Sequence, residues 1–187
     1  MVRSIVTAAV LALVSAGAQA GLDFTPFQSF YEVEGVRVPN LNFHDDGKVI
    51  AYTPPPRWKT SGRGRKLELI PPQAVQAGAT FQVLQTAPLP ADASKVSAFR
   101  ELAVSMLPAE ATNVEIVEAK LSELCISGRA GVAVVLSYKF FAQQFRMRVL
   151  FIPRERDLLR FAFTARTADF GALEKRFRHS LYSLEGL

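Results

Sequence analysis

Residues 132–166 read VAVVLSYKFFAQQFRMRVLFIPRERDLLRFAFTAR, and this run decides the fold. Apolar side chains recur at every second position in three successive stretches. They are Val132, Val134, Leu136, Tyr138 and Phe140, then Phe145, Met147, Val149 and Phe151, then Leu159, Phe161, Phe163 and Ala165. A period of two is the signature of a β-strand with one face turned to a core. The connections, Ala142–Gln144 and Pro153–Asp157, are short. Parallel neighbours need a crossover of about a dozen residues or more, so these strands form an antiparallel meander. Upstream, Asn113–Cys125 adds a fourth strand. Val114 and Ile116 share a face there, and the phase changes near Val117, which predicts a β-bulge. Gly128 and Gly131 supply the turn that follows.

Two helices flank this block. Val96, Phe99, Ala103 and Met106 step by three and four, as do Phe170, Leu173, Phe177, Leu181 and Leu184. Each series makes one apolar stripe on a helix. Asp92 or Ser94 is expected to cap the first helix and Thr167 or Asp169 the second. Pro108 stops the first. Before them, Lys48–Thr53, Arg65–Ile70 and Thr80–Thr86 are strand-sized runs bounded by Pro54, Pro71 and other breakers. His44-Asp45-Asp46-Gly47 is a turn signal, because Asp and Gly tolerate positive φ. Residues 21–46 show no sustained period and are expected to be an extended lead-in with a short strand near Val36–Val38. Residues 47–187 then form a single α+β domain, an antiparallel sheet layered with two amphipathic helices that bury its apolar side.

The first twenty residues decide the compartment. MVRSIVTAAVLALVSAGAQA carries one cation, Arg3, then an apolar run and a small-residue end at Ala18-Gln19-Ala20. That is the layout of a secretory signal peptide, cleaved after Ala20 to leave a periplasmic or secreted chain. The apolar run is shorter than the ~20 residues a spanning helix needs, and no second one follows. Cleavage removes Arg3 and one unit from the formal charge of +5. The remaining excess suits solubility and a mild attraction to anions, not a dedicated nucleic-acid binder. Cys125 is the sole cysteine, so no intrachain disulfide holds this exported protein. Its apolar setting, ELCISG, reads as a buried, inert thiol.

The order of elements resembles the PsbP/Mog1/DcrB-type fold over Gly47–Leu184. The segment Tyr52-Thr53-Pro54-Pro55-Pro56-Arg57-Trp58 matches that family's early tyrosine–proline–tryptophan stretch, and His179-Ser180-Leu181-Tyr182-Ser183-Leu184 its closing helix turn. The resemblance implies a non-enzymatic role, as an accessory subunit or a small extracytoplasmic protein. It transfers no metal or partner site onto this chain.

Catalytic signatures are missing. The two histidines, His44 and His179, lack a partner at metal-ligand spacing, and there is no HExxH, CxxC, P-loop or G-x-S-x-G. Glu115, Glu118 and Glu123 lie along one irregular strand with nothing to separate their pKa values. No enzyme activity, cofactor or metal is expected. Arg57, Lys59, Arg63, Arg65 and Lys66 form a cationic run free of acids, with Trp58 and the glycines 62 and 64 among them. Two readings stand. The run holds an anionic group, with Trp58 as a stacking face and glycine N–H groups turned to the ligand. Or it is a hydrated hairpin turn with Trp58 folded onto the core edge, the commoner fate of charge runs. Lys139, Arg146, Arg148, Arg160 and Arg166 all point away from the apolar face of the meander, and need acids, a helix end or an acidic partner to answer them. The function these features imply is an exported interaction module contacting a protein assembly or an anionic envelope component, not nucleic acid. The alternative is a small-molecule binder or weak hydrolase with an apolar pocket between sheet and helix, lined by residues such as Phe99, Phe151, Phe163 and Phe177.

Overall fold

The computed structural model describes residues 21–74, 76–86 and 89–187, with residues 28, 31–33 and 36–39 described by their backbone alone. The expected signal peptide, residues 1–20, lies outside the described residues. Among the described residues no helix is long and apolar enough to cross a membrane.

The chain is α+β, as its periodicities predict, but it builds two antiparallel sheets. Strands β1 (Leu22–Val33), β2 (Val36–Asp45) and β3 (Lys48–Tyr52) form a three-stranded sheet in chain order. Strands β4 (Lys59–Arg63), β5 (Lys66–Ile70) and β6 (Gly78–Leu84) start the second sheet. Helix α1 (Val96–Ser105) leads to β7 (Thr112–Leu121), β8 (Val132–Phe140), β9 (Gln143–Pro153) and β10 (Leu158–Arg166), and α2 (Thr167–Ser180) follows. The order across the seven-stranded sheet is β4-β5-β6-β10-β9-β8-β7. Two meanders are thus joined side by side where β10 pairs with β6.

Several expectations hold and several are corrected. The meander, its short turns and the bulged β7 are present, with register irregularities on either side of Glu115 and Ile116. Residues 21–46 are not a loose lead-in with one short strand. They form a long hairpin, turned at Glu34 and Gly35 with φ of 50° and 77°. Asp46 and Gly47 make the next turn, with φ of 48° and 80°. Both are two-residue turns with positive φ at each central position, the twist that antiparallel strands prefer. The expected caps do not form: neither helix has a side-chain hydrogen bond at its N-cap. Ser94 Oγ instead donates to Asp92 Oδ1 at 2.5 Å.

The seven-stranded sheet buries both faces. On one side α1 sets Phe99 and Ala103 against Val132, Val134, Leu136, Val149 and Phe151. On the other, α2 and the three-stranded sheet cover Leu67, Leu69, Phe81, Leu150, Phe161 and Phe163 with Phe24, Phe43, Tyr52 and Phe177. Strand β8, one in from the β7 edge, is accordingly buried at every residue from Val132 to Tyr138. Phe161 lies opposite Leu150, and Ala162 opposite Val149. The phenylalanines of β10 therefore face α2, while Tyr138 of β8 and the phenylalanines of β9 face the α1 side. The meander cations divide the same way: Lys139, Arg146 and Arg148 lie on the α2 side, Arg160 and Arg166 on the α1 side. They do not share a face, because no single side of this sheet is the apolar one.

The two sheets meet where the start of β1 crosses β4. Phe24 donates its N–H to the Gly64 carbonyl, and Gly64 N–H donates to Thr25 Oγ1 at 3.2 Å. A Cβ at Gly62 would collide with the Phe24 carbonyl oxygen, so only glycine permits this approach.

Candidate functional site

The cationic run is a strand and two turns, not one loop, and the structure separates its members. Trp58 is 7% exposed, with its ring 6.0 Å from that of Phe163, so its faces serve packing. Arg57 precedes it with φ of 68° at the entry to the hairpin. Lys59 and Arg63 sit on the outward face of β4, about 13 Å apart at ~3.3 Å per residue. Lys66 opens β5 and pairs with Glu68 at 2.5 Å. Arg65, at the turn, faces a cleft described below. The glycines are not free donors for a ligand: Gly62 is packed under β1, and Gly64 is bonded through both its N–H and its carbonyl.

Strand register assembles a different cationic surface, one that crosses four strands. Arg63 lies opposite Lys66, Lys66 opposite Gln82, and Gln82 opposite Arg160. Residues directly opposite in antiparallel strands project to the same face, so these four make one row across β4, β5, β6 and β10. The next row is Ser61, Glu68, Thr80 and Ala162, and beyond it Lys59 lies opposite Ile70. Arg166 extends the face from β10 and donates to Gln76 Oε1 at 3.1 Å. Helix α1 packs on β7 and β8, at the far end of the same side. Lys59, Ser61, Arg63, Lys66, Glu68 and Ile70 are exposed. The face thus carries Lys59, Arg63, Lys66, Arg160 and Arg166 against the single carboxylate Glu68. Arg160 Nε is buried without a hydrogen-bond partner, and burial pulls this guanidinium below its ordinary pKa.

On the α2 side Arg148 is answered internally, whereas Lys139 and Arg146 are exposed. Arg148 Nε lies 2.8 Å from Glu174 Oε1, and Arg148 is also 3.6 Å from Glu118. Arg178 approaches Glu174 at 3.7 Å. Glu118 is held below the usual carboxylate range, first by its hydrogen bond from Lys120. The cavity between α2 and the sheet is ≈ 20 Å³, lined by residues including Leu150, Phe161 and Phe177. That is room for about one water.

A larger cleft, ≈ 360 Å³, opens at one end of the molecule. It lies among the start of β1, the β2–β3, β4–β5 and β9–β10 turns, Arg129 and the segment Gly186–Leu187. Arg154 organises its wall. Its guanidinium meets both carboxylate oxygens of Asp157 at 2.7 Å and Asp45 Oδ2 at 2.5 Å. Burial alone would lower the pKa of Arg154, but Asp157 and Asp45 outweigh it and the net shift is upward. Arg156 reaches Asp46 at 3.3 Å. Asp23 Oδ1 accepts the Thr25 N–H at 2.8 Å, and this bond is the main reason its carboxyl lies below the usual range. Nothing in the sequence marked this cleft. Its residues come from seven separate segments, the end of β6 among them, and each is an ordinary turn or strand end read alone.

The remaining candidates are placed as follows. His44 stacks on Phe27 with ring centroids 4.5 Å apart, and His179 is exposed beside Tyr182. Among the described residues no three His, Cys, Asp or Glu side chains are grouped to hold a metal. Cys125 is exposed, not buried as its apolar neighbours suggested. Leu124 and Ile126 take the inward positions on either side and turn it out.

No family model and no curated protein matches the chain. Among solved structures it is similar to a protein of unknown function from Pseudomonas aeruginosa named as a candidate regulator, with a TM-score of 0.51 and 16% identity, over 86% of this chain and 97% of that one. A second match, from Bacteroides thetaiotaomicron, has a TM-score of 0.45 and 11% identity over 74% of this chain and 45% of its own. The first likeness is one of fold.

Proposed function

We propose that the chain is an exported, non-enzymatic interaction protein that docks an acidic protein surface of the cell envelope on the cationic face that is exposed on β4 and β5 and continues over β6 to β10. The observation that carries this reading is the row Arg63, Lys66, Gln82, Arg160 with Lys59 and Arg166 beside it, answered on those strands by Glu68 alone. Like charges on adjacent strands repel, and a complementary acidic surface relieves that cost. Ile70, 50% exposed among these cations, favours a protein partner, since protein interfaces combine an apolar centre with a charged surround. Export rests on the leader sequence, and the accessory role is consistent with the PsbP/Mog1-type resemblance. The alternative apolar pocket between sheet and helix has only ≈ 20 Å³ beneath α2 to occupy.

The test is chemical crosslinking in intact envelopes followed by identification of the crosslinked protein. Wild type yields an acidic partner whose recovery falls as salt rises. Lys59→Glu with Arg63→Glu abolishes recovery while leaving the melting temperature nearly unchanged, as befits exposed sites. Arg57→Glu, before β4 and outside the row, does not. Recovery of the same partner by the Lys59/Arg63 variant would refute the assignment of this face.

A further inference from the structure

The cleft at the opposite end of β4 from Arg57 has a chemistry of its own, independent of the sheet face. We infer that it binds a small anionic metabolite: one phosphate or carboxylate group, held by Arg129 and Arg65, on a body whose hydroxyl or amino groups donate to Asp23 and Glu155.

The size is right for such a ligand. Small-molecule sites begin near ~300 Å³, and this recess measures ≈ 360 Å³. Ten of the seventeen lining residues are charged, which favours a small polar ligand over a lipid or an aromatic one. Its charges are equal in number but unequal in commitment. Arg154 engages Asp45 and Asp157, and Arg156 engages Asp46. Among the described residues that leaves Lys48, Arg65 and Arg129 outside any ion pair, against Asp23 and Glu155. A surplus of uncommitted cations in a concave recess concentrates the field on whatever anion enters.

Arg129 is the sharpest of these. Its Nε is buried and finds no acceptor. A guanidinium partly stripped of water and left unmatched gains more from an incoming oxyanion than a fully hydrated one does. Its position is fixed, because Arg129 and Ile126 exchange backbone hydrogen bonds of 2.9 and 3.1 Å across the Ser127–Gly128 turn. The opposite wall is equally fixed. Arg154 N–H donates to the Asp157 carbonyl at 2.9 Å, and the Arg65 carbonyl accepts from Val83 N–H at 3.0 Å. A site whose walls are already set loses little conformational freedom on binding. Asp23 and Glu155 make the recess selective, because a bare polyanion meets repulsion there, whereas an anion that also carries hydroxyl or amino groups meets acceptors.

The experiment is calorimetric titration of the purified chain with inorganic phosphate, glutamate and glucose 6-phosphate, each at ionic strength held constant with chloride. Saturable binding of glucose 6-phosphate or glutamate is expected, the responder showing whether phosphate or carboxylate is the recognised group. Arg129→Gln weakens it by about tenfold or more, the loss of one charge-assisted contact, and Arg65→Gln, on an exposed turn that tolerates the change, weakens it as well. Lys59→Gln, on the sheet face, leaves it intact. No saturable heat with any of the three probes overturns the proposal. So does binding unchanged in both arginine variants, or lost equally in Lys59→Gln.

Discussion

At the scale of single residues, Tyr52 shows how burial turns a side chain into a pH-sensitive support. It is fully buried, and its hydroxyl donates to Ser180 Oγ at 2.8 Å while that serine donates onward to the Phe177 carbonyl at 2.7 Å. Burial pushes the phenol well above its ordinary range. Above the usual phenol pKa of ~10 the unfolded chain gives up this proton and the folded one keeps it. Stability therefore falls as pH rises past that point. Tyr52→Phe is expected to cost about 1 kcal/mol at neutral pH and to flatten the alkaline decline, as read from urea denaturation across a pH series. Buried Tyr138, whose pKa is also raised by burial, accounts for part of the slope that remains. The role of Trp58 was open in the sequence for a physical reason. An indole beside cations suits stacking and packing equally well, and Phe163, distant in the chain, decides between them.

At the scale of elements, turn chemistry sets what each hairpin costs. The β8–β9 turn places Phe141 and Ala142 at φ of 44° and 62°, a conformation that L-residues adopt at a cost of about 1 kcal/mol each. Ala142→Gly should raise the urea midpoint, with a gain of about 1 kcal/mol. Gly62→Ala should act in the opposite sense, costing about 1–3 kcal/mol as β4 is forced off the Phe24 backbone. Legibility also divides by element. β8, β9 and β10 were plain in the sequence because apolar alternation and breakers agree there. β4, KTSGR, was not, since it contains no apolar residue and is a strand only through its ladder with β5. The β1–β2 hairpin was obscured by Glu34 in a left-handed turn position and by a register irregularity between Asp23 and Phe27. The cleft could not be read at all, because nothing local ties Arg129 to Arg65 or Asp23.

At the scale of the whole molecule, the two sheets are held by a shared core and by a charged latch. Arg154 belongs to the β9–β10 turn of the large sheet, and Asp45 to β2 of the small one. The three side chains of the latch are only 11–13% exposed. Arg154→Met leaves Asp45 and Asp157 without their counter-ion and is expected to cost about 3 kcal/mol. Adding Asp45→Asn should recover part of that loss in a double-mutant cycle, and additive effects would show that the pair does not couple. The meander cations read as one set in the sequence because alternation reports a strand's two faces without saying which face the neighbouring strand shares. The place of β10 at the middle of the seven strands, with a core on either side, has one more consequence. In heavy water its amides should be the last to take up deuterium, at a rate set by global opening, since both of its ladders are internal to the sheet. The part of the β1–β2 hairpin between Ser29 and Asn40 lies beyond the reach of β3 and should label first. A mass-spectrometric labelling course in which β10 fills as early as that tip would mean that the two meanders separate along the β10–β6 seam while each stays folded.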